Sequence, residues 1–169
     1  MRIALKIFTL CVALVIAGCS TDRATKEAIR RAETIAREMP DSALVLIESV
    51  DPQNVRGEDD KVHYRLVEAE VLYYNRILPD REEVAQPLFD HYLTSNDHRE
   101  RARAMYQYAL VMQAEGENAE ALYALLEAEK SLELCKYLDK PRLQGLVHRT
   151  KGEIYGVECL FSNAYEEHA

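Results

Sequence analysis

From Thr21 to Ala169 the apolar residues recur at the spacing of one face of an α-helix, and short turn signals cut that pattern into segments. Pro and Gly are sparse, Trp is absent, and Ala, Leu, Glu and Arg dominate, which suits packed helices rather than a sheet or a disordered tail. Arg23 to Glu38 reads as a first helix; Pro40-Asp41-Ser42 ends it and caps a second, Ser42 to Val50, which stops at Asp51-Pro52. A third is expected from about Asp59 to Ile77, its apolar face carrying Tyr64, Val67, Val71, Tyr74 and Leu78, with Pro79-Asp80 as the break. Asp80 with Glu83, and Asp97 with Glu100, have the spacing at which a cap side chain and a return carboxylate satisfy orphan N–H groups, so they mark the starts of a fourth and a fifth helix. Gly116 then separates the fifth from a sixth, Asp139 to Pro141 the sixth from a seventh, and Gly156 to Leu160 the seventh from an eighth. The expectation is all-α, eight helices in antiparallel pairs, and the length of 169 residues suggests one compact unit.

The N-terminus has a different character. Arg2 and Lys6 precede the apolar run Ile7 to Ala17, which has the form of an export signal and is too short to span a bilayer, a task needing about 20 apolar residues. The run closes with Ile16-Ala17-Gly18-Cys19, which resembles the bacterial lipobox. That resemblance implies residues 1–18 as a lipoprotein signal peptide, a lipidated Cys19 with a short tether over 19–22, and a helical domain over 23–169. Several acyl chains on one cysteine give stable anchoring, since each buried methylene contributes about 0.8 kcal/mol. Ser20, rather than an acidic residue, follows Cys19, so an anchor in the outer membrane facing the periplasm is expected.

Processing would remove Arg2 and Lys6 and leave 19 basic residues against 29 acidic ones, shifting the formal charge from −8 to near −10. So acidic a chain is a poor partner for nucleic acid. Of the four cysteines, Cys11 leaves with the signal and Cys19 carries lipid. Cys135 is expected as a small buried residue continuing the stripe Ala121, Leu125, Ala128, Leu132, and Cys159 at a turn. About 17 helical residues between their turns would hold the two sulfurs roughly 20 Å apart, so no disulfide between them is expected.

The second half contains a repeat. Ala109, Gly116, Ala121, Leu125 and Ala128 have a small-large-small pattern, and Gly152 and Ala164 each follow Ala109 and Ala121 by 43 residues, with Tyr155 close by. The extra length is assigned to the sixth helix, running on through Leu132, Leu134 and Leu138. This pattern resembles the 34-residue tetratricopeptide repeat. Together with the segment Pro40 to Asp51 and Tyr64-Arg65-Leu66-Val67, it resembles the exported tetratricopeptide proteins common in Bacteroidota. The resemblance implies helix pairs stacked as a short right-handed superhelical solenoid, with a concave groove lined by the first helix of each pair. The groove positions fall on Arg103, Tyr106, Leu110 and Gln113, then on Arg149 and Glu153, with Tyr73 and Tyr74 as further candidates. Tyrosine and arginine suit binding hot spots. The chain stops at His168-Ala169, inside the second helix of a repeat, so a C-terminal truncation relative to the family is expected.

Catalytic chemistry finds little support in the residues. The five histidines, His63, His91, His98, His148 and His168, stand at no zinc-binding spacing and read as surface residues. No Gly-rich phosphate loop and no G-x-S-x-G elbow occurs. Glu117, Glu120, Glu127 and Glu133 are expected on a solvated face of the sixth helix. The expectation is a non-enzymatic, cofactor-free scaffold that binds a protein or peptide and is tied to the membrane by lipid. The alternative is a sensor input module whose output domain is missing or lies on another chain.

Overall fold

The computed structural model describes the backbone of residues 23–167 and the side chains of residues 23–157. The expected signal peptide, Cys19, His168 and the side chains of Cys159 and Ala164 lie outside the described residues. Among the described residues the chain is all-helical, with seven α-helices and no strand, and it forms two compact units that divide between Ile77 and Leu78.

The first unit contains α1 (residues 23–35), α2 (Pro40–Glu48), a short 3-10 turn (Pro52–Asn54) and α3 (Glu58–Tyr74). Ile29, Ala32 and Ala36 along the first segment, Ala43 and Ile47 of α2, and Tyr64, Val67 and Val71 of α3 form its core. Pro40 does not end the first helix as expected; it occupies the first turn of α2, where its missing N–H and fixed φ carry no penalty, and Ser42 sits inside the helix without capping it. The Asn75 side-chain amide donates to the carbonyls of Pro40 at 3.0 Å and Val71 at 2.8 Å, tying the end of α3 to the start of α2.

The third helix ends at Tyr74, short of Ile77. The Ile77 amide donates to the Leu72 carbonyl at 2.9 Å and the Arg76 amide to Tyr73 at 3.0 Å, the paired bonds of a Schellman stop. Arg76 holds its left-handed position with φ 59°, where glycine is usual. Pro79 plays no part in this stop, and Leu78, expected on the apolar face, is 52% exposed.

The second unit begins with a wide π-type turn (Arg81–Ala85) that leads into α4 (Gln86–Tyr92), followed by α5 (His98–Glu115), α6 (Asn118–Leu134) and α7 (Lys140–Glu167). Pro87 cannot donate to the Glu83 carbonyl and its ring crowds that group, which suits the wider hydrogen-bond spacing just before it. The aspartate half of each expected cap forms, while the Asp97 amide donates to the Ser95 hydroxyl at 3.1 Å rather than to Glu100. Asp80 accepts from the Glu83 amide at 2.8 Å, and Asp97 from the amides of Arg99 and Glu100 at 3.2 and 3.1 Å. Gly116, at φ 83°, ends α5 with the bond pair Glu117 to Met112 and Gly116 to Gln113.

The α5–α6 hairpin is the most extensive helix pairing. Ala102 and Ala109 on α5, and Ala121, Ala124 and Ala128 on α6, are wholly buried, so small side chains let the backbones approach. Met105, Met112, Leu125 and Leu132 fill the layers between, each stabilising by about 1.5–3 kcal/mol through burial.

Two expectations in this half are corrected. First, α7 runs without interruption through Gly156, so the seventh and eighth expected helices are one, and Cys159 falls within helix rather than a turn. A lone glycine costs only about 1 kcal/mol relative to alanine, too little to end a helix without a cap or proline beside it. Second, α6 stops at Leu134: Cys135 is extended at φ −107°, and Leu138 is fully exposed. Cys135 is therefore a half-buried free thiol at the helix end, not a member of the buried stripe. The Lys140 ammonium donates to its carbonyl at 3.2 Å, satisfying a group the helix leaves open.

Candidate binding surfaces

The residues expected to line a groove separate into a packed set and an accessible one. Arg103 is 7% and Tyr106 2% exposed. Leu110 and Gln113, further along α5, are half-buried, while Arg149 and Glu153 on α7 are exposed and pair with each other at 3.3 Å. An exposed i,i+4 pair of that kind contributes only a few tenths of a kcal/mol, so both groups can exchange partners cheaply. Tyr73 and Tyr74 meet edge to face at 5.3 Å on α3, half-buried, and belong to the first unit.

The burial of Arg103 follows from its neighbours. Every residue from Ala102 to Ala109 is buried, so α5 is enclosed along that stretch on all sides. Arg103 donates to the Glu100 carboxylate at 2.7 Å, and the two side chains are only 8% and 14% exposed. Tyr92 stands beside this pair, and burial together with the Glu100 charge raises its phenol pKa. Burial likewise pushes Tyr137 up to about 12, and the Arg99 guanidinium lies 5.7 Å from its ring centroid. This end of α5 is a closed charged cluster built for packing.

Glu127 is a further correction. It was expected on the solvated face of α6, yet it is 6% exposed and pairs with both Arg101 and Lys130. The hydrogen bond from Lys130 and the pairing with Arg101 hold its carboxyl below the usual range, against the opposing effect of burial. Glu117, Glu120 and Glu133 are exposed as expected. Glu129, half-buried, accepts from Lys151 at 2.7 Å and lies 3.2 Å from His148, linking α6 to α7.

The histidines are less uniform than expected. His148 is exposed, whereas His63, His91 and His98 are half-buried. Among the described residues no three His, Cys, Asp or Glu side chains gather as metal ligands would, and no helix is long and apolar enough to cross a membrane.

One surface was missed by the sequence reading. Tyr123, Leu126 and Leu134 of α6 are 48%, 44% and 68% exposed. At 100° per residue they lie within one arc of the helix, with the exposed Lys130 between them, opposite the packed stripe Ala121, Leu125, Ala128, Leu132. Half-buried Phe89 of α4 extends the patch, its ring 6.2 Å from that of Tyr123 and 4.4 Å from Tyr108. The signal was present in the sequence: α6 is apolar on two faces, which a single core-facing stripe does not require. Compared with protein families, curated proteins and solved structures, the chain matches none.

Proposed function

We propose that this chain is a lipid-anchored helical-repeat scaffold of the tetratricopeptide type, which docks a protein or peptide partner on the periplasmic side of a membrane through the outward face of α6. The observation that carries the reading is the apolar arc Tyr123, Leu126 and Leu134, standing out of a helix whose other face is fully packed. Several large apolar side chains grouped on one exposed face are the mark of an interaction site, whereas single ones are ordinary. A tyrosine flanked by leucines, with Lys130 on the same arc, offers anchors for an amphipathic partner segment. Leu110, Gln113, Arg149 and Glu153 are the members of the groove set left accessible to the same partner class.

The helix-pair reading is supported by the α5–α6 hairpin, in which wholly buried alanines on both helices flank a glycine turn; the second expected pair is the single helix α7 and adds no support. The anchor reading is supported by the lipobox-like Ile16-Ala17-Gly18-Cys19. Intact mass of protein extracted from membranes tests the anchor. A chain starting at Cys19 with acyl and glyceryl mass is expected, and Cys19→Ala should release it from the membrane fraction. An unmodified N-terminus, or unchanged partition of the variant, would remove the anchor from the proposal.

A further inference from the structure

The charge of this acidic protein is unevenly spread. Its sequence holds 29 acidic and 21 basic residues, yet residues 23–37 reverse the balance with Arg23, Lys26, Arg30, Arg31 and Arg37 against only Glu27 and Glu33. All five basic residues are exposed. On one side of α1 the surface opens into a cleft of about 200 Å³. Ile29 and Val55, each 5% exposed, lie at its floor, and Lys26, Arg30 and Arg56 stand around it with Thr25.

Two carboxylates, Asp60 and Glu33, also line the cleft. Asp60 pairs with Lys26 at 2.8 Å, and Glu33 lies 3.6 Å from His63. Arg30 pairs at 2.7 Å with Glu27, both exposed, and such a pair yields readily to a stronger anion. Arg56 is exposed and forms no ion pair among the described residues. Arg56, and Arg30 once it leaves Glu27, are the guanidinium groups open to an oxyanion at the mouth of the cleft, while Lys26 stays with Asp60.

The position of this cleft in the chain points to the occupant. Thr25 follows Cys19 by six residues, and an extended chain covers at most about 3.6 Å per residue, so the mouth of the cleft lies within about 22 Å of an anchor at Cys19. Basic clusters held that close to an anionic bilayer are drawn to its surface, and one lipid chain set strengthens the other contact by raising its effective concentration.

We infer that the basic face of α1, together with Arg56, docks on the anionic headgroups of the membrane that holds the anchor, one lipid phosphate meeting Arg30 and Arg56 at the mouth of the cleft. The inference rests on the lipid anchor at Cys19. It gives the protein a defined orientation, α1 against the bilayer, and goes beyond tethering.

The test uses the lipidated protein purified from membranes and placed in vesicles of phosphatidylcholine alone or of phosphatidylcholine mixed with phosphatidylglycerol. The readout is the rate at which a water-soluble amine reagent labels Lys26, followed by peptide mass, with Lys130 on α6 as the internal control. Labelling of Lys26 should slow severalfold in the phosphatidylglycerol vesicles at low salt and recover at high salt, while Lys130 is unchanged. Arg30→Gln combined with Arg56→Gln, both exposed positions, should abolish that protection while the helical circular-dichroism signal is kept. Equal labelling of Lys26 in the two vesicle types overturns the docking. Equal protection in phosphatidylcholine vesicles on adding inorganic phosphate overturns the lipid as the source and makes the cleft a site for free phosphate. Failure of the anchor itself is read separately, as a missing lipid mass on the purified chain.

Discussion

The two units end their helices by different means. In the second unit Asp80 and Asp97 accept backbone amides and Gly116 supplies a left-handed stop, so three boundaries belong to a side chain or a glycine visible in the sequence, while α6 starts after Glu117 without a capping side chain. In the first unit Met39 and Gly57 precede helices without a capping side chain, and Arg76 closes α3 in a backbone conformation that no residue type at that position announces. The charges differ in the same direction. Lys26–Asp60 in the first unit is half exposed, while Arg103–Glu100 and Arg101–Glu127 in the second are largely enclosed. A helix end or an ion pair exposed to water is settled by small energies and leaves a faint pattern, whereas an enclosed one demands a partner and constrains its neighbours.

The largest expected effect separates the two kinds of ion pair. Arg103→Ala leaves the Glu100 carboxylate in the packed end of α5 without its cation and should cost about 3 kcal/mol, near the low end for a broken buried pair. Lys26→Ala breaks an exposed pair and should cost less than about 1 kcal/mol. Urea unfolding of the two variants measures both, and equal losses would erase the distinction. Packing comes next. Ala121→Leu forces a larger side chain into the wholly buried α5–α6 contact and should cost on the order of 1–3 kcal/mol. Glu120→Ala, beside it and exposed, should stay within about 0.5 kcal/mol. Equal loss of melting temperature in this pair would contradict the observed hairpin register.

The helix stops give a contrast of sign. Gly116→Ala meets no atom within 4 Å of the added carbon, so its cost is the left-handed backbone alone, about 1 kcal/mol of lost stability. Arg76→Gly relieves the same strain in the first unit and should stabilise by about 0.5–1 kcal/mol, read as a raised thermal midpoint. The smallest effect is in pH dependence. Glu127 has its pKa lowered from 4.5 by Lys130 and Arg101, so its contribution is present above that value and is lost as pH falls through the lower folded-state value. The stability gap between wild type and Glu127→Gln should therefore narrow on acidification below pH 4.5 in unfolding curves. A gap that stays constant down to the acid transition would show that the pairing does not bias Glu127.

What was legible in the sequence was the set of local signals. The spacing of Val67 and Val71, the two aspartate caps and Gly116 each encode structure within one helical turn, and each is found where expected. Enclosure of α5 was not legible, because Arg103 and Gln107 look like solvent-facing residues. Their burial depends on Glu100 one turn away and on α4, α6 and α7 packing around the helix, which no window of sequence contains. Glu127 was misplaced for the same reason: its partner Arg101 lies on another helix. Arg149 and Glu153 were assigned to a groove through the resemblance to the repeat; they are exposed and pair with each other along one helix, which needs no groove. The outward arc of α6 was readable as a second apolar face, but nothing in a single sequence says which of two apolar faces will be covered.

The most direct test of the docking account is photo-crosslinking in the native host, with a photoreactive residue replacing Leu126 on the outward arc and, as control, Glu83 at an exposed position before α4. The account predicts one discrete protein adduct of constant mass from position 126, lost when Tyr123→Ser and Leu134→Ser are added, and none from position 83. A chain that yields no adduct at 126, or the same adducts at both positions, would contradict a partner held on this face.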